Sequence, residues 1–378
     1  MKNFNSKAFN AETFLKYLET VPRTELVRLF NSGALVNDNS FAKTLQDQVG
    51  GNYIVKPFKG RLSGSPVNYD GSTTITSGTL ATYSQGIVVI GRAKAFDELD
   101  FTESITGHDF MVDVAAQLVE YWALVNEKLI LSILKGIFGS AIAANIYDAG
   151  AVVSAVTLNN AMQAVAGDTK DKFAIAYMHS AVATQLENLQ LLEFIKYTDD
   201  AGLQRDTRLA TWNGRLVFVT DLVPTANVAA KYAPTSDVAI DPTKTYYTES
   251  GGVYTPVAEP DVSDIATYYE MTAEAYTNYT TYVLGLGAFG YGECPVKVPV
   301  EMSRDALTDG GKDYLVSRER IILAPYGVSF KASAISSKTS PSDSDLETAS
   351  NWELVKDASS NAIPTKSIPF LAIVTRSN

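Results

Sequence analysis

FTESITGHDFMVDVAAQLVEYWALVNEKLILSILKGIF, residues 101–138, reads as one long helix with a glycine stop behind it. Thr106 and Asp109 have the spacing of a capping box, in which side-chain oxygens satisfy the first orphan amides. Met111, Val114, Ala115, Leu118, Trp122, Val125, Leu129, Ile133 and Ile137 recur every three or four positions and give one broad apolar face. Helices in ordinary globular domains run about 8–20 residues. About 30 residues at ~1.5 Å each make an element on the order of 45 Å long, which sets the dimension of an extended subunit. No catalytic apparatus follows its carbonyl end, and a long polar, hairpin-like excursion precedes it. That pairing describes a building block better than an enzyme.

The chain has 378 residues, 46% of them hydrophobic, enough for a real core and for two or three domains. Only 19% are charged, and 20 are Tyr. Low charge with abundant tyrosine fits a surface covered by neighbours, because interfaces favour Tyr over Lys and Glu. It fits a strand-rich fold equally well. The formal net charge of −11 argues against a protein that grips nucleic acid, which needs a concentrated basic surface. It does not exclude enclosing nucleic acid at a distance. The single cysteine, Cys294, rules out an intrachain disulfide and leaves the redox compartment open. No apolar run reaches the ~18 residues of a membrane span, and MKNFNSKAFNAETF has no apolar signal core. A soluble protein, made and used in the cytoplasm, is expected.

Residues 1–49 read as short helices joined by turns. Phe14, Leu15 and Leu18 form one stripe, Leu26, Val27 and Phe30 another, with Pro22 and Gly33 as punctuation. Such helices must dock elsewhere to be stable. Gly51–Lys59 and Gln85–Phe96 read as strands. RLSGSPVNYDGSTTITSGTLATYS lies between them, almost without apolar anchors, either a surface loop or an arm ordered on an adjacent subunit. Thr157 and Gly167 bracket a helix, Leu158–Ala166, with an N-cap hydroxyl and a C-terminal glycine. A strand Phe173–Met178, a helix Ala181–Leu192 and a strand Arg215–Thr220 make an α/β alternation. Residues 229–275 carry a net −6 from two lysines and eight acids, with Tyr246–Tyr247 and Tyr268–Tyr269 flanking Gly251–Gly252. They read as a small inserted β module. A strand Tyr282–Phe289 resumes the host domain. From Val296 onward strands alternate with a polar loop, Ser336–Thr348, and the chain closes on the β-branched strand Ile368–Thr375.

Candidate chemistry is sparse. There are two histidines, His108 and His179, and neither has metal-ligand spacing. His108 falls in the first turn of the long helix, where the macrodipole disfavours a charged imidazole. Gly285, Gly287 and Gly290 match G-x-G-x-x-G in GLGAFGYGE, but Pro295 and a strand-like Val296–Val300 forbid the helix that dinucleotide binding requires. A glycine-bearing strand that allows close backbone approach is the favoured reading. Cys294 reads as a buried structural thiol. No catalytic, cofactor-binding or metal residues are assigned, and no cofactor is expected.

The order of segments carries a resemblance. GNYIVKPFKGRLSGSPVNYDGSTTITSG, YSQGIVVIGRAKAFDELDFTESITGHDFM and VEYWALVNEKLILSILKGIF, followed by SRERIILAPYGVSF, SPSDSDLETASNWELV and IPFLAIVTRSN, resemble the major capsid proteins of tailed bacteriophages, of the Hong Kong ninety-seven type fold. The resemblance implies an α+β fold: N-terminal arm, 1–50; extended β-hairpin loop, 51–100; peripheral domain with the long spine helix, 101–140 and 296–335. It further implies an α/β axial domain, 141–228, 276–295 and 336–378, carrying the β insertion 229–275, which departs from the common core. It implies pentamers and hexamers of the chain itself, an icosahedral shell around double-stranded DNA, and maturation of a procapsid. Scaffolding and portal proteins are the implied partners, in the virion and, during assembly, the host cytoplasm. Some members join subunits by a lysine–asparagine bond. Lys56 and Lys59 lie in the right stretch, but no asparagine partner is assigned and no cross-link is expected.

Two other functions compete with a phage shell. A nanocompartment shell of the same fold would bind a cargo peptide on its inner wall. An enzyme using carboxylates would need paired acids facing a cleft.

Overall fold

The computed structural model describes residues 32–38, 41, 51–60, 65–75, 77, 80–99, 110–198, 204–308, 310–335 and 339–377, with the side chains of 110–116 and 194–209 left aside. The apolar period of the opening stretch is realised as α1 (Phe110–Gly139), 30 residues long. The expected capping box at Thr106 and Asp109 lies outside the described residues, as does His108. Leu118, Trp122, Leu129, Ile133 and Ile137 are buried, and Val125 is half-buried. Beyond Lys128 burial extends around the helix: Ile130, Leu131 and Leu134 are buried too, and only Lys135 is exposed before Gly139. The stretch Gln117–Lys128 is therefore amphipathic, and the second half is a core helix.

Three strands precede α1: β1 (Leu35–Asn37), β2 (Tyr53–Lys59) and β3 (Thr82–Leu99). β2 and β3 pair antiparallel from Tyr53↔Val88 to Lys59↔Thr82, so the polar excursion is their connection. Among the described residues of this stretch, 65–75 is exposed throughout, without an apolar anchor in the chain's own core. Tyr83 and Ile87–Ile90 are buried in the chain's own core, because alternate apolar side chains there face α1 and the later strands. β1 corrects the reading of 1–49 as helices and turns. Three extended residues leave no periodic signature, and their pairing partner is far away in sequence.

Next come β4 (Ile146–Asp148), α2 (Thr157–Ala166), β5 (Phe173–Met178), α3 (Ser180–Asn188), β6 (Leu192–Thr198), β7 (Gln204–Trp212), β8 (Arg215–Val219) and β9 (Thr225–Val228). Thr157 is the first residue of α2, not its N-cap. Its hydroxyl accepts from the amide of Ser154, and the N-cap, Val156, makes no side-chain bond. Gly167 closes α2 as expected, at φ 60° with its amide bonded to Gln163. α3 is shorter than the expected Ala181–Leu192: Gln190, at φ 56°, turns the chain so that Leu192 already belongs to β6.

The insertion is a four-stranded sheet in the order β10-β13-β11-β12, made of β10 (Lys231–Pro234), β11 (Tyr246–Ser250), β12 (Val253–Pro256) and β13 (Tyr269–Ala273). Gly251 and Gly252, at φ 62° and 84°, form the β11–β12 turn. Such positive φ values at both central residues suit a tight hairpin. Tyr246, Ile265 and Tyr268 are buried together in a cluster separate from the main core. On the opposite face Tyr232 of β10 stacks on Tyr254 of β12 at 4.1 Å, so the two edge strands curl toward each other. Tyrosine can serve the buried face because its hydroxyls find partners within the module: Tyr246 donates to Asp237 Oδ2 at 2.7 Å, and Tyr268 accepts from the Asp261 amide at 3.1 Å.

The last elements are β14 (Tyr276–Gly285), β15 (Phe289–Glu293), β16 (Val300–Asp305), β17 (Lys312–Pro325), β18 (Val328–Phe330), α4 (Asp343–Glu347), β19 (Trp352–Leu354) and β20 (Phe370–Arg376). The expected strand Tyr282–Phe289 is two strands broken at Gly287, φ 67°. Val296–Pro299 is irregular rather than extended, since Pro295 and Pro299 have no amide to give a ladder. One sheet runs β1-β15-β17-β3-β2, with β16 also on β17. The other runs β4-β20-β14-β5-β8-β7-β6, with β9 also on β14. The second half of α1 shares one core with both sheets, packing with Val88 and Ile90, Ile321 and Leu323, and Tyr282 and Phe370.

Candidate functional site

Three of the glycines of GLGAFGYGE, Gly285, Gly290 and Gly292, are occupied by packing. A Cβ on Gly285 would meet the carbonyl oxygen of Lys172 at 2.8 Å, and one on Gly292 would meet the Phe41 ring at 3.0 Å. Phe41 is buried among Ile54, Ile87, Val89, Cys294, Ile322 and Ala324, with its ring against Gly290 and Gly292. The run is strand, turn and strand, with no helix N-terminus to hold a pyrophosphate. Close backbone approach explains Gly285, Gly290 and Gly292, while Gly287, with open space around it, serves the turn through its φ of 67°. No local signal singles out Phe41 among the N-terminal aromatics Phe4, Phe9, Phe14, Tyr17 and Phe30, because its glycine partners lie about 250 residues away.

His179, Ser180 and Asp221 come together at the carboxyl ends of the parallel strands β5 and β8. They do not form a catalytic triad. Ser180 Oγ donates to Asp221 Oδ1 at 2.5 Å, and His179 Nδ1 accepts from the Ala181 amide at 3.1 Å, which makes His179 the N-cap of α3. Nδ1 lies 3.5 Å from Ser180 Oγ but accepts from the Ala181 amide, and the hydroxyl donates to the carboxylate instead, so the imidazole is not set as the base of the serine. The Ser180 hydroxyl and amide hold the Asp221 carboxyl below the usual carboxylate range. Cys294 is buried, and burial pushes its thiol up to about 11. A neutral thiol in an apolar pocket is a poor nucleophile. Among the described residues no group of His, Cys, Asp and Glu could hold a metal ion, and no helix is long and apolar enough to cross a membrane.

What the fold leaves exposed is surface for contact. Loop 65–75 is exposed throughout, with Tyr69 at 90% and Ile75 at 69%. Its bend is stiffened by Asp70, whose Oδ1 accepts from the amides of Ser72 at 3.0 Å and Thr73 at 2.7 Å. Those amide bonds, Thr73 first, hold the Asp70 carboxyl well below its ordinary value. The β16–β17 turn presents Leu307, 95% exposed, on a similar frame, with Asp305 Oδ1 accepting from the Leu307 amide at 2.9 Å. Both tips are preorganised, which lowers the entropy lost on docking.

Behind these tips the long elements are latched together. Trp122 Nε1 donates to Ser317 Oγ at 2.9 Å, joining α1 to β17. Arg92 of β3 donates to Asp343 Oδ1 at 2.6 Å and to the Pro341 carbonyl at 2.9 Å, while Lys128 of α1 lies 3.3 Å from Asp343 Oδ2. A cavity of about 180 Å³ opens beside them, lined by Tyr121, Trp122, Val125 and Leu129. Lys56 pairs with Asp38 and stands over the Phe41 ring, tying β2 to the N-terminal strap.

No family model matches the chain. Among curated proteins it is similar to the major capsid protein of Bacillus phage SPP1, with 25% identity over 339 residues, covering 88% of each chain. Among solved structures it is similar to the head of Helicobacter pylori bacteriophage KHP40, with a TM-score of 0.50 and 12% identity over 91% of this chain and 86% of that one. Two further solved structures each give a TM-score of 0.40: Mycobacterium phage Che8, with 9% identity over 90% of this chain and 88% of that one, and the holo-SrpI encapsulin from Synechococcus elongatus PCC 7942, with 10% identity over 89% and 87%.

Proposed function

We propose that this chain, which belongs to the major capsid proteins of tailed bacteriophages, closes an icosahedral head by lying on copies of itself. The observation that carries this reading is the likeness to a phage capsid protein along 88% of both chains. It favours a phage shell over a nanocompartment.

In this reading pentamers and hexamers tile the shell. Residues 1–50 are the N-terminal arm, 51–100 the extended loop, 101–140 and 296–335 the peripheral domain, and 141–228, 276–295 and 336–378 the axial domain, with 229–275 inserted. The exposed stretch 65–75 and its Asp70 bend support the loop assignment. The loop covers a neighbouring copy, and contacts of ~800 Å² per partner are enough for specificity. Double-stranded DNA is enclosed without sequence-specific contact, because a wall of net charge −11 does not hold phosphate. Scaffolding and portal proteins take part in assembly in the host cytoplasm. The role is structural and not enzymatic. Lys56, engaged by Asp38, forms no covalent cross-link, so denaturing gels of shells run as a single band.

Negative-stain microscopy of the expressed chain, alone and with its scaffolding partner, tests the proposal. Closed particles of uniform diameter are expected. A monomer that persists at high concentration under both conditions overturns it.

A further inference from the structure

We propose that His179 is a proton-sensitive cap: when its imidazole is charged, the first turn of α3 and the neighbouring 220–224 turn loosen. The N-cap of a helix usually supplies an oxygen that stays an acceptor at any pH above the carboxylate range. Here the acceptor is a ring nitrogen, Nδ1, bonded to the Ala181 amide at 3.1 Å. The backbone of His179, at φ −70° and ψ 149°, is that of a cap residue. With Nδ1 accepting, the single ring proton of the neutral form is on Nε2, which lies 3.6 Å from Asp221 Oδ1.

A proton from solvent can go only to Nδ1. The ring then has two donors and no acceptor, so the Ala181 amide loses its partner and faces an N–H. The new positive charge also stands at the positive end of the α3 dipole. The titratable groups that face the ring among the described residues are Asp221, from the turn after β8, and Tyr279 of β14, whose ring centroid is 4.8 Å away. Asp221 attracts the charged ring, and this opposes the loss of the cap. Its side chain is 71% exposed, however, and exposed ion pairs shift an equilibrium by a factor of only about 1–5. Loss of a cap is worth a factor of about 5, and the dipole adds about 2–5. The cap wins.

Loosening reaches the 220–224 turn because Ser180 bonds Asp221 through both its hydroxyl and its amide, at 2.5 and 3.3 Å. Leu222 stands exposed on that turn, next to Val219 at the end of β8. The inference does not depend on the shell reading.

Hydrogen exchange by mass spectrometry on the full chain tests it, comparing peptides across α3 at about pH 8 and about pH 5, the range over which histidines change charge. After correction for intrinsic exchange, protection across Ala181–Ala183 is expected to fall about 2- to 25-fold in acid. In His179→Asn, whose amide oxygen caps at either pH, it stays level. Asp221→Asn keeps the cap and removes the opposing attraction, so its acid loss is larger than in the native chain. The same acid response in the native chain and His179→Asn overturns the proposal, as does a response abolished by Asp221→Asn.

Discussion

The carbonyl oxygen of Leu346 lies 2.0 Å from where a Cβ on Gly136 would stand, and the Trp352 indole nitrogen lies 2.5 Å from the same point. α4 therefore rests on the backbone of α1. The contact is closed by the indole, which donates to the Leu346 carbonyl at 2.7 Å, and by Lys135 paired with Glu347 at 2.6 Å. Glycine inside a helix costs about 1 kcal/mol relative to alanine. This one is retained because no side chain fits there.

Gly136→Ala is thus expected to destabilise the chain by about 1–3 kcal/mol despite its better helix propensity, since overpacking against backbone has no easy relief. Urea unfolding of the purified variant checks this. A rise in midpoint would show that α4 does not sit on the helix in solution.

Phe41 and Gly292 should behave as a coupled pair. Phe41→Ala empties a buried site and is expected to cost about 3–5 kcal/mol of strap stability. Gly292→Ala crowds the ring in the native chain and should cost less once the ring is gone, because contacting sites are not additive. A double-mutant cycle that comes out additive would refute the plug-and-glycine account.

The latch at Asp343 predicts an acid dependence. Partial burial pushes its carboxyl up, but the hydrogen bonds and charges of Arg92, then Lys128, outweigh this and hold it below the usual range. A depressed folded value means that the contribution is complete above the unfolded value of about 4 and is lost as pH falls through the folded one. Asp343→Asn should therefore be less stable than the native chain at about pH 7, and the gap should narrow toward about pH 2. Unfolding midpoints across that range measure it. A constant gap would assign the effect to packing.

How much could be read in advance follows from where each signal lies. The stripe of α1 from Leu118 to Ile137, the β2–β3 pair around 60–81 and the Gly251–Gly252 turn announce themselves locally, through a period of 3.6, a loss of apolar anchors and paired glycines. The β1 strap and the α4 contact at Gly136 do not, because each is defined by a partner more than 200 residues away. The strand expected across Tyr282–Phe289 failed for a related reason. Its apolar residues run on through the turn, and the break is set by Gly287 bonding to the Gly33 carbonyl. The His179 cap was missed because histidine is seldom weighed as an N-cap residue.

The insertion should be removable. Val228 and Tyr276 are paired across β9 and β14, so a two-residue Asn-Gly turn can join them once 229–275 is cut out. The module's buried cluster is its own, and the main core loses none of its members. We expect the shortened chain to fold, with an unchanged unfolding midpoint for the remaining core, and to form shells of the same diameter. Soluble but unassembled protein would instead place the module among the shell contacts.

Tyr69 separates folding from assembly. Its ring is 90% exposed on the Asp70-stiffened bend, so removing it leaves little uncovered within the subunit. Surface substitutions of this kind fall within about ±0.5 kcal/mol, and Tyr69→Ser should unfold with the native chain. If the bend lies on a neighbouring copy, the same ring is an aromatic anchor, and truncating such an anchor costs about 2 kcal/mol or more at each contact. Repeated around a closed shell, that loss should raise the concentration needed for assembly at least about 10-fold, read by light scattering against protein concentration. Asp70→Ala should weaken assembly in the same direction by releasing the bend, again without moving the unfolding midpoint. Native assembly by both variants would mean that this loop covers no sibling subunit.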